Sequence, residues 1–160
     1  MTDMQQHEQW IREAVELGRD GMHLSGGGPF GAVVVANGRI VGRGSNQVTV
    51  LLDPTAHAEV TAIRDACRTL QRFDLRGCDL YTSCEPCPMC LAAIYWARID
   101  RIFYGCTRTD AADAGFDDEF IYQQIPLETS ARAVPTAQVG REIAVQLFDD
   151  WALKADKVSY

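Results

Sequence analysis

Apolar and polar residues along this 160-residue chain follow two rhythms. From Asp3 to about Met22, Met4, His7, Ile11, Ala14, Val15 and Met22 recur at helical spacing with Glu and Arg between them, which predicts an amphipathic helix. Asp3 reads as its N-cap, with Gln6 three residues on. Ser25-Gly26-Gly27-Gly28-Pro29 then breaks the pattern into a loop. Two β-branched runs, Ala32–Ala36 and Arg39–Gly44, flank Asn37-Gly38. Asn-Gly predicts a hairpin, because both central residues of the tight turn need positive φ.

After Asp53-Pro54-Thr55 the helical period returns, over about Ala56 to Leu70. Pro54 suits a first turn that needs no amide donor, and Asp53 or Thr55 can cap it. Asp79–Thr82 reads as a strand, Pro86 to Arg98 as a helix and Arg101–Tyr104 as a strand, a spacing that predicts a parallel βαβ unit. A short helix is expected at Asp117–Gln124. A final amphipathic helix is expected at Arg141–Lys154, with Ile143, Leu147, Phe148 and Trp151 on one side. With no repeat or linker in view, one three-layer α/β domain around a mixed sheet is expected.

Composition narrows the partners. Hydrophobic residues are 47% and charged residues 23%, as in an ordinary globular chain. The 15 Lys+Arg against 22 Asp+Glu leave a net charge of −7, which argues against nucleic acid and anionic membrane as partners. The N-terminus has no basic and apolar secretory pattern, and no apolar stretch reaches membrane-spanning length. A reducing cytoplasm is therefore the expected setting, and there six cysteines read as ligands or catalytic groups before bridges.

Two clusters carry the chemistry: His57-Ala58-Glu59 and Pro86-Cys87-Pro88-Met89-Cys90, each opening a predicted helix. Cys87 and Cys90 stand at i and i+3, on one helix face, where they can chelate an ion. Amide dipoles at a helix start favour the thiolate a metal needs. His57 supplies a third ligand, and three protein ligands leave the fourth tetrahedral position open, as in catalytic zinc sites. Residues i and i+2 lie about 200° apart on a helix, so Glu59 is poorly placed to ligate beside His57. It is better placed to move a proton to and from a metal-activated water. Cys84 extends the cysteines to C-x-x-C-x-x-C, which could instead serve a closed Cys₃His zinc or an iron–sulfur cluster, leaving Glu59 without a task. Cys67, Cys78 and Cys106 read as small core hydrophobes.

H-x-E followed by P-C-x-x-C is the signature of zinc base deaminases. The chain resembles the cytidine deaminase superfamily and, within it, the small bacterial guanine deaminases. The resemblance is carried by Gly28–Val33, by Asp53–Arg64, by Leu80–Cys90 running on to Ile94–Arg98, and by Thr109–Ala112 with Ala114-Gly115-Phe116-Asp117-Asp118. It implies a cytidine deaminase-like α/β/α fold around a mixed five-stranded sheet. It implies one zinc ion per subunit, with a bound water, held by His57, Cys87 and Cys90, and Glu59 as proton shuttle. Asn46 would hydrogen-bond a small-molecule purine base, Phe30 and Trp96 would pack on its ring, and Ala58 would lie against it. Asp118 would be a second acid/base, chosen over Asp117 on the resemblance alone. The segment from about 126 to 160 would cross to a partner in a domain-swapped homodimer and bring Tyr160 over the partner's site.

Plainer roles exist for several of these residues. Asn46 would serve a turn, Trp96 a core, Asp118 a helix cap and Tyr160 a frayed terminus. Among activities, a tRNA adenosine deaminase shares H-A-E and P-C-x-x-C, but −7 and the acidic stretch Asp113–Glu119 oppose an RNA backbone. Deaminases of cytosine, guanosine or a triazine differ in the pocket. A structural zinc module, outside enzymology, leaves Glu59 unexplained.

Overall fold

The runs flanking Asn37-Gly38 form the expected hairpin. In the computed structural model, which describes residues 3–160, β1 (Gly31–Ala36) pairs antiparallel with β2 (Arg39–Ser45). Asn37 and Gly38 take φ of 50° and 69°, as the turn demands. β3 (Cys78–Cys84) runs antiparallel to β1, and β4 (Arg101–Cys106) runs parallel to β3. The strand order is β2-β1-β3-β4.

This mixed sheet has four strands among the described residues, not the five expected. The physical reason lies directly after β4. The Thr107 hydroxyl accepts from the Asp110 amide, and the Asp110 carboxylate accepts from the Thr107 amide, a reciprocal cap. It starts α5 (Arg108–Asp113), and from there on the described chain forms helices and turns, so no fifth strand joins β4.

Alternation along the strands builds three layers. Val33, Val35 and Tyr81 point to one face, where Trp10, Ile11 and Leu17 of α1 (Asp3–Ser25) cover them. Ala32, Val34 and Leu80 point to the other, under α3 (Ala58–Leu70) and α4 (Pro88–Ala97), with Ala62, Ala66 and Ile94 in the same cluster. Gly42 and Gly44 set how closely α3 lies on β2. A Cβ on Gly44 would collide with the Ala58 carbonyl oxygen, and one on Gly42 with that of Ala62.

Local boundaries depart from the sequence pattern in instructive ways. α1 already includes Asp3 in its first turn, so Asp3 is not the cap. A short helix not foreseen, α2 (Val48–Leu51), precedes the Asp-Pro-Thr turn. α3 starts at Ala58 rather than Ala56 and leaves Pro54 outside it. The Asp53 carboxylate accepts from the Thr55 amide at 2.8 Å and hydroxyl at 2.7 Å, closing a turn of its own. α4 starts at Pro88, behind Cys87.

One compact unit ends at Asp118, and Glu119–Tyr160 forms a second. The second holds α6 (Glu119–Gln124), a 3-10 turn at Thr129–Ala131, α7 (Arg141–Ala144) and α8 (Gln146–Leu153). The single last helix expected is thus interrupted at Val145. None of these elements has a buried residue. Among the described residues no helix is long and apolar enough to cross a membrane.

Candidate active site

Two helix starts meet on the α3/α4 face of the sheet. His57 is the N-cap of α3 and Cys87 the N-cap of α4, both in extended conformation, so each side chain leaves the chain just before the helix winds. Pro88 fills the first position of α4, where its missing N–H costs nothing. His57 Nδ1 lies 3.6 Å from Cys87 Sγ and 3.5 Å from Cys90 Sγ, and the three ligand atoms fall within 4.8 Å of one another. A tetrahedral zinc with bonds of about 2.0–2.3 Å holds its ligand atoms about 3.5–3.8 Å apart. The donor set therefore fits zinc in both chemistry and spacing.

The electrostatics agree with a metal cradle. The Cys90 thiol donates to the Cys87 sulfur and, with His57, holds Cys87 down at about 4 against the effect of burial. The same contact, with burial, pushes the Cys90 thiol up. Cys87 in turn raises His57, opposed by burial. Such a thiol, thiolate and imidazole set exchanges its protons for a cation. Cys84 stands outside the group: its Sγ donates to the Thr107 carbonyl at 3.5 Å. The closed Cys₃His arrangement is not formed.

Glu59 is the second residue of α3 and only 6% exposed. Burial raises its carboxyl above the usual range, and its side chain bonds the Cys90 thiol. It lies beside the ligand triad without belonging to it. Asp118 is raised by burial first and by Cys87 second, which ties it electrostatically to the triad.

Asn46 follows the last residue of β2 and is buried. Its Oδ1 accepts from the Gly28 amide at 3.3 Å and the Val48 amide at 3.2 Å. Its backbone N–H donates to the Phe30 carbonyl at 2.9 Å. The side chain is thus oriented, with its NH₂ left as the donor end. Gly28 permits this approach, since a Cβ there would stand 3.1 Å from Asn46 Cγ.

Phe30 is half-buried and meets Phe116 edge-on, with ring centroids 4.9 Å apart. Together they wall a cavity of about 250 Å³ that also touches Ser83, Cys84 and Cys106. Phe116 had no role from the sequence, although it sits in the Ala-Gly-Phe-Asp-Asp stretch. Ser83 was likewise missed, and its Oγ accepts from the Gly31 amide at 3.1 Å, fixing the strand start next to Phe30. No periodicity could have found either contact, because both join residues far apart in the chain.

Ala58 is fully buried and belongs to the core cluster on the α3/α4 face. Trp96 is 65% exposed. Six residues of helix after Cys90 turn it by about 240° and carry it about 9 Å along the axis. It lines a shallow surface cavity with Ala92, Tyr95 and Arg98 instead of the one walled by Phe30. Within one chain the structure does not bring Trp96 to the cluster. Tyr160 is 72% exposed and belongs to the second unit.

These features define a hydrolytic zinc deaminase fold, and the chain belongs to the family of the cytidine and deoxycytidylate deaminase zinc-binding region, whose profile matches residues 4–106. It is 51% identical over 154 residues to guanine deaminase of Bacillus subtilis (strain 168), covering 96% of this chain and 99% of that one. An X-ray structure of guanine deaminase from Bacillus subtilis superposes with a TM-score of 0.93 over 96% of this chain and 98% of that one. The tRNA-specific adenosine deaminase of Agrobacterium fabrum is 52% identical over 77 residues, 48% of this chain and 51% of that one.

Proposed function

We propose that the chain hydrolyses guanine to xanthine and ammonia. The likeness to the Bacillus subtilis guanine deaminase runs through both units, covering 96% of the chain, whereas that to the Agrobacterium fabrum tRNA-specific adenosine deaminase covers 48% of it. The site observation that carries the reading is the buried Glu59 carboxyl beside a three-ligand cradle. When bound by His57, Cys87 and Cys90, zinc supplies a Lewis acid that lowers the pKa of water toward about 7. Glu59 takes a proton from the attacking water and delivers it to the ring nitrogen beside C2. Protonation of the departing amine, by Glu59 or Asp118, expels ammonia. The NH₂ of Asn46 donates to the purine edge, the backbone of Ala58 borders it, and Phe30, braced by Phe116, packs on the ring face.

The second unit has a place in the same proposal. Ile143, Leu147 and Phe148 are each more than 70% exposed, an apolar surface suited to a second copy of the chain. A swapped homodimer would cover it and carry Tyr160, and by the same exchange a partner surface for Trp96, to a neighbouring site. All six cysteines are free thiols, as a reducing cytoplasm would keep them.

The test is ammonia release by the zinc-loaded full chain from guanine, guanosine, adenine, cytosine and cytidine. Guanine is expected to be the good substrate, and release from guanosine but not guanine would overturn the assignment.

A further inference from the structure

Cys84 and Cys106 are neither ligands nor part of the proposed chemistry, yet they form a pair. They are register partners near the ends of the parallel strands β3 and β4. The register from Asp79↔Arg101 to Cys84↔Cys106 is constant, so both side chains project from the sheet face that carries Leu80 and supports α3 and α4. Neighbouring strands lie about 4.8 Å apart. That is inside the Cα separation of about 4.4–6.8 Å that a disulfide spans. Both residues border the roughly 250 Å³ cavity walled by Phe30 and Phe116. Cys106 is exposed and Cys84 buried, so the cavity gives a small oxidant a path to the pair from the Cys106 side.

We propose that Cys84 and Cys106 are a peroxide-responsive thiol pair, which closes to a disulfide across β3 and β4 and slows the enzyme. The exposed Cys106 thiolate attacks a peroxide oxygen, the O–O bond breaks, and a sulfenic acid and hydroxide result. Cys84 then attacks that sulfur and the S–O bond breaks with loss of hydroxide. Two thiols and one hydrogen peroxide thus give one disulfide and two molecules of water. Burial pushes the Cys84 thiol up to about 11, so it stays a thiol while Cys106 meets the oxidant, and its proton leaves with the hydroxide as water when its sulfur attacks.

The strand ends explain how a bond here reaches the site. Closing it removes the Cys84 donation to the Thr107 carbonyl. It also pulls on a junction where the Glu85 amide donates to the Cys106 carbonyl at 2.8 Å and the Arg108 amide to the Glu85 carboxylate at 3.0 Å. Glu85 and Pro86 lead straight into Cys87. The slowing rests on the deaminase reading above, whereas the cross-link does not.

The zinc-loaded full chain is treated with hydrogen peroxide and read by non-reducing peptide mapping, by zinc release to a chromophoric chelator, and by turnover. A Cys84–Cys106 linked peptide is expected, with zinc retained and turnover lost until dithiothreitol restores it. C106S is expected to keep basal turnover and resist this reversible loss. Absence of the linked peptide overturns the pair, whatever the substrate proves to be. Unchanged turnover in the linked protein overturns the switch. Equal sensitivity of C106S, with zinc released in step, overturns it in favour of oxidation at Cys87 and Cys90.

Discussion

The two units of the chain are built on opposite terms. In the unit ending at Asp118, strands and helices build a core cluster on each face of the sheet, in which Leu80, Ile94, Val33 and Val34 are almost wholly buried. In Glu119–Tyr160, three helices and a 3-10 turn bury no residue, and Ile143, Leu147, Phe148 and Val139 stand exposed. The first unit can hold His57, Cys87, Cys90 and Glu59 still because each sits where a helix start meets a packed sheet. The second has side chains suited to a surface rather than to a core. The proposed chemistry therefore rests on residues of the first unit, and the second presents an exposed apolar surface.

The sharpest break in this contrast comes from Glu59→Gln. The variant is expected to keep its zinc, measured by metal analysis, and to lose about 10³-fold or more in turnover, since acid/base transfer contributes about 10²–10⁴ and no other group replaces the base. Retained turnover would move the chemistry away from the first unit's buried carboxyl.

Stability comes next. Leu80→Ala opens the core between β3 and α3/α4 and is expected to cost about 2–5 kcal/mol in denaturant unfolding. Phe148→Ala, at an exposed position of α8, is expected to change chain stability by less than about 0.5 kcal/mol. In the proposed homodimer it should raise the monomer fraction seen by sedimentation. A large unfolding cost without a change in oligomeric state would mean that α8 packs within its own chain.

Much of the first unit was legible because its pattern is periodic. The hairpin at Asn37-Gly38, the βαβ unit and both ligand-bearing helix starts lie where local chemistry dictates them. Other features had a signal that went unread. Thr107 and Asp110 spell a capping box, and it foretells α5. Val48–Leu51 is β-branched and apolar, and its helical form overrides that propensity. β3 and β4 extend to Cys84 and Cys106 although Ser83, Gly105 and the cysteines do not read as strand. Within one chain Trp96 lies on the part of α4 turned away from Cys90, and its contact with a base is read from the resemblance alone. The Phe30–Phe116 and Ser83–Gly31 contacts are long-range, and no local pattern encodes them.

Tyr160 tests whether the second unit reaches the chemistry at all. Tyr160→Ala is expected to lower kcat/KM for guanine by about tenfold, or about 1.4 kcal/mol, mostly through KM and with zinc content unchanged. An unchanged kcat/KM would confine the site to the first unit.

The smallest effect lies at the first unit's last well-capped helix, α5. The Asp110 carboxylate is held below its ordinary value of 3.8 by the Thr107 hydroxyl and then the Thr107 amide. A carboxyl whose folded pKa is depressed adds stability that is present above the unfolded value and lost as pH falls through the folded one. Asp110→Asn should therefore unfold slightly more easily than the parent at neutral pH, and the gap should close as pH drops below 3.8. Urea melts of parent and variant between neutral and strongly acidic pH measure this. A gap that stays constant with pH would mean that the Asn side chain disturbs α5 by its shape, and that the charge on the capping carboxylate contributes nothing to holding the helix.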